Sequence, residues 1–305
     1  KNDIISADIV LGDNFRYNLD YYIDNGFNVS FGFKSFFNQF NRNVAKEIST
    51  LDLASMGLNA INVDFSDLSN QAYFQSLFMH KFLVGAGAEL KFLNIRSETL
   101  ANTNTTIDNS NYISVFGYMK YDSFDNKYFP KKGWHFSGDV QSYLLSSDYT
   151  NTFNPFSIVK AELGFASKIV KKVTLRFQAD GGFAFGGDSV SFFNFVLGGY
   201  GYNTINNFRH FYGYDFLSVA ADSYIKVAAT VDYEFFKKNH INFSANFANL
   251  EDDLFNSVEK ISAPKYSGYA IGYGMETIIG PIEIKHSWSP ENNQGYTWFG
   301  VGFWF

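Results

Sequence analysis

The chain lacks cysteine altogether, contains only 5 prolines among its 305 residues, and carries a charged side chain at only 18% of its positions. Without cysteine it forms neither a disulfide framework nor a thiolate metal site. The formal net charge of −6 leaves no basic excess to neutralise phosphates, so nucleic acid is not an expected partner. No cofactor is indicated either.

Long apolar runs are also missing. No stretch reaches the roughly 18 uncharged apolar residues that a transmembrane helix requires. The first residues include Lys1, Asp3 and Asp8 and form no apolar segment, so they do not resemble a signal peptide. We therefore expect a single domain over residues 1–305, in a mature chain or in a fragment that other domains precede.

Aromatic residues, in contrast, make up 20% of the chain, and apolar side chains recur at every second position. In the segment 223–235, Ile225, Val227 and Val231 alternate with Lys226 and Asp232. The alternation continues well beyond the roughly 5–6 residues of a typical strand in a soluble sheet. It matches the roughly 9–11 residues of a membrane-spanning strand, which faces lipid on one side and a polar lumen on the other.

The pattern predicts an all-β fold, a transmembrane up-and-down antiparallel β-barrel of about sixteen strands. Tight turns alternate with long polar connections, and an even strand count leaves both termini on the short-turn side. The predicted strands are 3–11, 14–24, 27–38, 44–53, 57–66, 71–79, 82–97, 111–121, 133–147, 156–169, 172–185, 222–236, 240–250, 266–278, 281–288 and 295–305.

Four segments together resemble the bacterial surface-antigen superfamily. The segment 125–134 resembles its turn motif, with Asp125, Pro130 and Gly133 in the expected order. The segment 195–199 opens the connection 186–221, named here the long loop, and resembles the start of the family's inward-folded loop. The segments 246–249 and 280–284 resemble the lumen-facing strand motif and the entry to the penultimate strand.

The resemblance implies a loop lock inside the barrel. It assigns Gly198, Gly199, Arg209 and Gly213 to the loop, and Asn249 or Asp252 to its lumen partner. The family pairs an Arg-Gly tip with a carboxylate, whereas this chain separates Arg209 from Gly213 and has Asn249 at the acidic position. Our hypothesis is that Arg209 bonds an acceptor near Asn249, and the alternative is that Arg209 is a solvated loop charge.

The chain ends in Gly300, Phe303 and Phe305, with aromatic residues at alternate positions. This ending resembles the C-terminal signal by which the barrel assembly machinery of Gram-negative bacteria recognises its clients. The alternative is a last strand that simply faces lipid.

Catalytic motifs are absent from the sequence. The segment 187–191 lacks the closing glycine of a nucleophile elbow, and the five histidines show no metal-ligand spacing. We therefore expect no enzyme activity and no metal site in this chain.

The resemblance implies a function in moving or inserting polypeptides at the outer membrane of a Gram-negative bacterium. We expect the barrel of a patatin-like autotransporter, with a lipid hydrolase and a transport-associated domain upstream of Lys1, and with outer-membrane lipid and a second copy as partners. The alternatives are an assembly factor, a two-partner secretion transporter, and a passive channel or adhesin.

Overall fold

The structure is a computed structural model of the chain. It describes residues 2–12, 14–24, 29–45, 60–79, 81–97, 105–149, 151–187, 193–200, 207–256 and 258–302. Most of these residues are in strands, and the few helical residues form one 3-10 turn, Leu254–Asn256, and one short helix, α1, Val258–Ser262. No helix in this part of the chain is long and apolar enough to cross a membrane.

Fifteen strands form one large sheet, in which every pair with a described register is antiparallel. Its order is β1-β2-β3-β4-β5-β7-β8-β9-β10-β14-β15-β16-β17-β18, and β6 pairs with β5. The strands are β1 Asn2–Val10, β2 Asn14–Asp24, β3 Val29–Ala45, β4 Ala60–Phe78, β5 Phe82–Ser97, β6 Thr105–Asp108, β7 Asn111–Asp122, β8 Gly133–Ser146, β9 Phe156–Val170, β10 Val173–Gly186, β14 Ser223–Phe236, β15 Asn239–Glu251, β16 Tyr266–Thr277, β17 Gly280–Trp288 and β18 Gly295–Val301.

The prediction of about sixteen strands needs one correction, because the segments 57–66 and 71–79 belong to a single strand, β4. Residues 67–70, which separate the two predicted segments, are part of this strand. Asp67 is a buried strand residue whose two carboxylate oxygens accept hydrogen bonds from Lys91 at 2.9 and 2.8 Å. The segment 44–53 is described only as far as Ala45, the last residue of β3, and its remainder lies outside the described residues.

The chain divides into two compact units. Unit 1 comprises residues 1–120, 138–159 and 184–192, and unit 2 comprises residues 121–137, 160–183 and 193–305. In unit 1, Phe31 and Phe74 are exposed, whereas Glu89 and Gln141 are buried and joined by a 3.0 Å hydrogen bond. The apolar side chains therefore point outwards in unit 1 and the polar side chains point inwards.

Unit 2 has the same inverted distribution. On β14, Val231 is 45% exposed, whereas the adjacent Asp232 is only 4% exposed. Ile271 on β16 is 50% exposed, whereas Asn246 on β15 is only 1% exposed. A soluble sheet would turn its charged face to water and bury its apolar face. The exposed apolar face of unit 2 is therefore suited to contact with hydrocarbon.

Unit 2 also contains most of the long loop. Its described residues include three short strands, β11 Phe195–Leu197, β12 Phe208–Arg209 and β13 Val219–Ala221, which form a separate small sheet. β12 is parallel to β11, and β13 is antiparallel to it. The loop is therefore a folded element with its own backbone hydrogen bonds.

Candidate functional site

The candidate site is the polar face of unit 2, formed by β10 and β14–β17, with the long loop packed on it. Gly198 and Gly199 directly follow β11. Their φ angles are 138° and 69°, in a region that residues with a side chain rarely adopt. Their N–H groups donate to the carbonyl oxygens of Arg209 and Tyr214 at 3.3 and 2.9 Å. The two glycines therefore let the chain turn sharply while its backbone stays hydrogen-bonded to the rest of the loop.

Gly213 brings the tip of the long loop against the end of β17. Its φ angle is 82°, and a Cβ atom at this position would lie 2.5 Å from the backbone carbonyl of Trp288. The Asn292 side chain donates a 2.6 Å hydrogen bond to the Gly213 carbonyl oxygen. No side chain fits between these two backbone segments, so a glycine is needed here.

Two tyrosines of the long loop bind a buried lysine on β17. The Lys285 Nζ donates hydrogen bonds of 3.2 Å to the hydroxyl oxygens of both Tyr200 and Tyr212. It also lies 4.5 Å from the centre of the Tyr200 ring, close enough for a cation–π contact. The Tyr200 hydroxyl donates in turn to Glu283 at 2.8 Å. Sequence analysis missed this cluster, because isolated tyrosines and a strand lysine form no recognisable motif.

Arg209 bonds within the loop and to β14. Its Nε donates to the Tyr224 hydroxyl at 3.0 Å, and its Nη1 donates to the Phe208 carbonyl at 3.0 Å. Burial alone would lower the pKa of Arg209, but Tyr224 and Asp180 raise it overall. The adjacent His210 has a pKa well below its usual value, because it is half-buried and lies near Lys226, Lys285 and Arg209. Arg209 is therefore charged and His210 is neutral at neutral pH.

The two residues expected to lie at the lumen partner of Arg209, Asn249 and Asp252, make other hydrogen bonds, and the acceptor of Arg209 is Tyr224, whose strand neighbour Ile225 pairs with Asn249. The Asn249 amide donates to the carbonyl oxygens of Lys260 and Ala263 at 2.5 and 2.7 Å, which ties the β15–β16 connection to its strand. Asp252 accepts a 3.0 Å hydrogen bond from the backbone N–H of Asp222.

The residue of this strand motif that bonds the long loop is Asn246, whose Oδ1 accepts a 3.0 Å hydrogen bond from the Tyr212 N–H. Successive residues of a strand point to opposite faces, so Asn246 and Asn249, three residues apart, do not share a face. Within the strand motif, the contact with the loop is therefore made by the first asparagine, Asn246.

The β7–β8 turn, residues 123–132, contains the predicted turn motif. Asp125 Oδ1 accepts hydrogen bonds from the N–H groups of Lys131 and Lys132 at 2.8 and 3.2 Å. Gly133 has a φ angle of 118° and packs against the backbone of Ser123, where a side chain would clash. Asp125 and Gly133 thus shape the turn, and Pro130 is buried within it.

This turn also lies on the polar face of unit 2. The Phe129 ring stacks on His240 of β15 with 4.3 Å between ring centres. The Lys131 Nζ lies 2.7 Å from Glu234, and Arg176 donates to the Tyr128 carbonyl at 3.2 Å. Lys226 of β14 and Asp180 of β10 form a 3.1 Å ion pair on the same face.

A cavity of about 350 Å³ lies between the long loop and the β7–β8 turn. Tyr200 and His210 line it from the loop, Lys127 and Tyr128 from the turn, and Arg176 from β10. No group of acidic or histidine side chains in the described ranges has a metal-binding arrangement. The mixture of tyrosines, cations and acids is suited to a wet, polar interior.

Of the predicted C-terminal signal, Gly300 lies on β18 and pairs with Glu283, while Phe303 and Phe305 lie outside the described residues. Recognition of this ending by the assembly machinery stays a prediction. The incomplete nucleophile elbow at 187–191 likewise lies mostly outside the described residues.

The family model described as the OMP85 superfamily matches residues 1–305. The chain belongs to the OMP85 superfamily. This superfamily includes the surface-antigen barrels that the four motifs indicated, so the prediction of the family is confirmed. No curated protein matches this sequence.

Solved structures show the same fold at low sequence identity. BamA from Haemophilus ducreyi lacking POTRA domains 1–3 matches with a TM-score of 0.67 at 13% identity, over 94% of this chain and 62% of that chain. CdiB from Acinetobacter baumannii matches with a TM-score of 0.62 at 10% identity, over 94% and 50%. CdiB from Escherichia coli has a TM-score of 0.57 at 10% identity, over 94% and 51%.

This OMP85 chain thus spans about half to two thirds of the length of these structures. It is an outer-membrane β-barrel of the same fold, as its strand pattern and exposed apolar face indicated. The polar face of unit 2 is the side that faces the lumen in such a barrel.

Proposed function

We propose that this OMP85 chain is a translocator barrel, whose long loop occupies the lumen at rest and whose cargo is polypeptide. The loop contacts that support this proposal are the hydrogen bonds from Lys285 to Tyr200 and Tyr212, and the bond from Tyr212 to Asn246. A passive channel needs a permanently open path. Here a folded loop with buried partners covers the polar face instead.

The cavity between the loop and the turn also supports a gated translocator. Its volume of about 350 Å³ falls within the range of a small-molecule pocket. An extended polypeptide would therefore require the loop to move.

Planar-bilayer recordings test this proposal. We expect small, infrequent openings for the wild-type chain and a severalfold higher conductance for Lys285→Met, which removes both tyrosine bonds. Lys265→Met is the matched control, because Lys265 lies at the exposed end of the β15–β16 connection. A steady open pore in the wild-type chain would favour the passive channel, and unchanged conductance in Lys285→Met would overturn the role of the loop.

Among OMP85 branches, we propose the patatin-like autotransporter, in which the barrel anchors and exports a lipid hydrolase and pairs with a second copy. Support comes from the loop lock, since Arg209 bonds the Tyr224 hydroxyl and Asn249 replaces the carboxylate of the family pattern. Proteins named BamA and CdiB share the fold, and an assembly factor or secretion transporter is the second candidate on that likeness.

The native protein distinguishes these branches. It can be purified from its outer membrane with an antibody against this chain, then examined for mass, for phospholipid hydrolysis and for self-association. Hydrolysis by a protein well above 34.6 kDa supports the patatin-like branch. Several tandem transport-associated domains without hydrolysis would overturn it in favour of the assembly factor.

A further inference from the structure

His240 lies between two carboxylates on the polar face of unit 2. Its Nδ1 is 2.7 Å from Oδ1 of Asp232, and its Nε2 is 3.1 Å from Oε1 of Glu276. An ionised carboxylate only accepts hydrogen bonds, so both ring nitrogens must carry a hydrogen to satisfy both contacts. A neutral histidine would turn one ring lone pair towards a carboxylate. The geometry therefore corresponds to an imidazolium ion.

The β7–β8 turn is packed directly over this histidine. The Phe129 ring lies nearly parallel to the His240 ring at an angle of 14°, and both residues are buried. The Asn126 amide donates to the second oxygen of Glu276 at 3.4 Å. Two of the contacts that hold the turn on the sheet thus involve His240 and one of its two carboxylate partners, in addition to those of Lys131 with Glu234 and of Arg176 with Tyr128.

The charges around His240 balance only while it is protonated. Three carboxylates lie next to it: Asp232 and Glu234 on β14 and Glu276 on β16. Arg176 of β10 bonds Asp232, and Lys131 of the turn pairs with Glu234. Glu283 of β17 is farther away, opposite Gly274, the residue that pairs with His240. The charge of Glu283 is matched by Lys285, whose Nζ lies 3.8 Å from it, and Glu283 also accepts a hydrogen bond from Tyr200. The carboxylates at 232, 234 and 276 are then matched by Arg176, Lys131 and the imidazolium of His240.

We propose that the β7–β8 turn is a proton-controlled latch on the lumen face, closed while His240 is doubly protonated and released when His240 loses a proton. Loss of that proton turns one hydrogen bond into a lone-pair repulsion and leaves an unmatched carboxylate beside the His240 ring on which Phe129 stacks. Because Lys127, Tyr128 and Pro130 of this turn line the cavity, its release enlarges the polar space next to the long loop. The latch does not depend on the identity of the cargo.

Distance measurements between two nitroxide labels test the latch. The chain has no cysteine, so Lys127→Cys and Lys237→Cys place labels at exposed positions on the β7–β8 and β14–β15 turns without further changes. We expect one narrow distance at about pH 6. A displaced population should rise about tenfold between about pH 6 and pH 9, because histidine commonly titrates between about pH 5 and pH 8 and the upper value lies beyond that range. A label pair at Lys171→Cys and Lys237→Cys, on the β9–β10 and β14–β15 turns, should not respond, because neither turn carries Phe129.

Glu276→Gln supplies the decisive variant. Its amide N–H₂ can donate to the unprotonated Nε2 of a neutral His240, so the distance should stay narrow at both pH values. His240→Phe keeps a ring beneath Phe129 but loses both hydrogen bonds, and it should populate the displaced distance at both values. If His240→Phe fails to fold, Glu276→Gln still decides. A wild-type distance that ignores pH, or a Glu276→Gln response equal to that of the wild type, overturns the latch.

Discussion

The backbone N–H of Tyr212 donates a 3.0 Å hydrogen bond to Oδ1 of Asn246, which joins the long loop to the buried face of β15. The bond gives the loop a fixed position without an ion pair at this strand. The loop of this chain is therefore held by a set of neutral and cation–tyrosine bonds, each of which can be removed separately.

Asn246→Ala removes the acceptor of the Tyr212 N–H and leaves that group buried without a partner. We expect a loss of about 1–3 kcal/mol in the free energy that holds the loop down, seen as faster tryptic cleavage at Arg209. Asn242→Ala is the matched control on the same face, because in the described part of the chain the Asn242 amide has no hydrogen-bond partner. Equal cleavage of both variants would contradict the assigned contact.

Gly213→Ala introduces a Cβ atom at a φ angle of 82° and against the Trp288 carbonyl. We expect the loop tip to leave β17 and the loop to become protease-sensitive in the folded protein. Gly12→Ala tests backbone strain alone, since Gly12 has a φ angle of 150° and nothing within 4 Å of its Cβ position. If the Gly213 variant were as resistant as the wild type, the close approach would be disproved.

His210 predicts the pH dependence of the loop. Because the pKa of His210 is lowered in the docked loop, His210 binds a proton more readily when the loop is released or unfolded. The docked loop therefore keeps its full stability above the ordinary histidine pKa of about 6.5 and loses stability as the pH falls below that value. We expect the rate of tryptic cleavage at Arg209 in the wild type to increase when the pH is lowered from about 7.5 to 5.5. Each rate is divided by the cleavage rate of an unstructured reference peptide, because the activity of trypsin itself depends on pH. His210→Gln should lack this increase.

Val231→Lys tests the exposed apolar face. A lysine placed on the lipid side near the middle of the bilayer costs about 2–4 kcal/mol, so we expect this loss in reversible denaturant unfolding from lipid vesicles. Thr230→Lys, the neighbouring substitution on the polar face, should cost clearly less, because Thr230 lines the cavity. The opposite ranking of the two variants would mean that the two faces had been assigned the wrong way round.

The sequence by itself determined the fold class and the family, because the two-residue alternation sets which side chains share a face, and this depends only on local backbone geometry. It also located the β7–β8 turn, since Asp125 and Gly133 act on their own neighbours along the chain. These features require no knowledge of distant partners.

Only the tertiary structure decided which residues hold the loop and the turn. Lys285 meets Tyr200 and Tyr212, and His240 meets Phe129, across large separations in sequence that no local pattern encodes. The same limit explains why Asn246 and not Asn249 receives the loop, and why the polar run in β4 forms no turn. A polar residue in a strand is satisfied by whichever partner the opposing elements bring within reach, and those elements are set in place by the whole sheet.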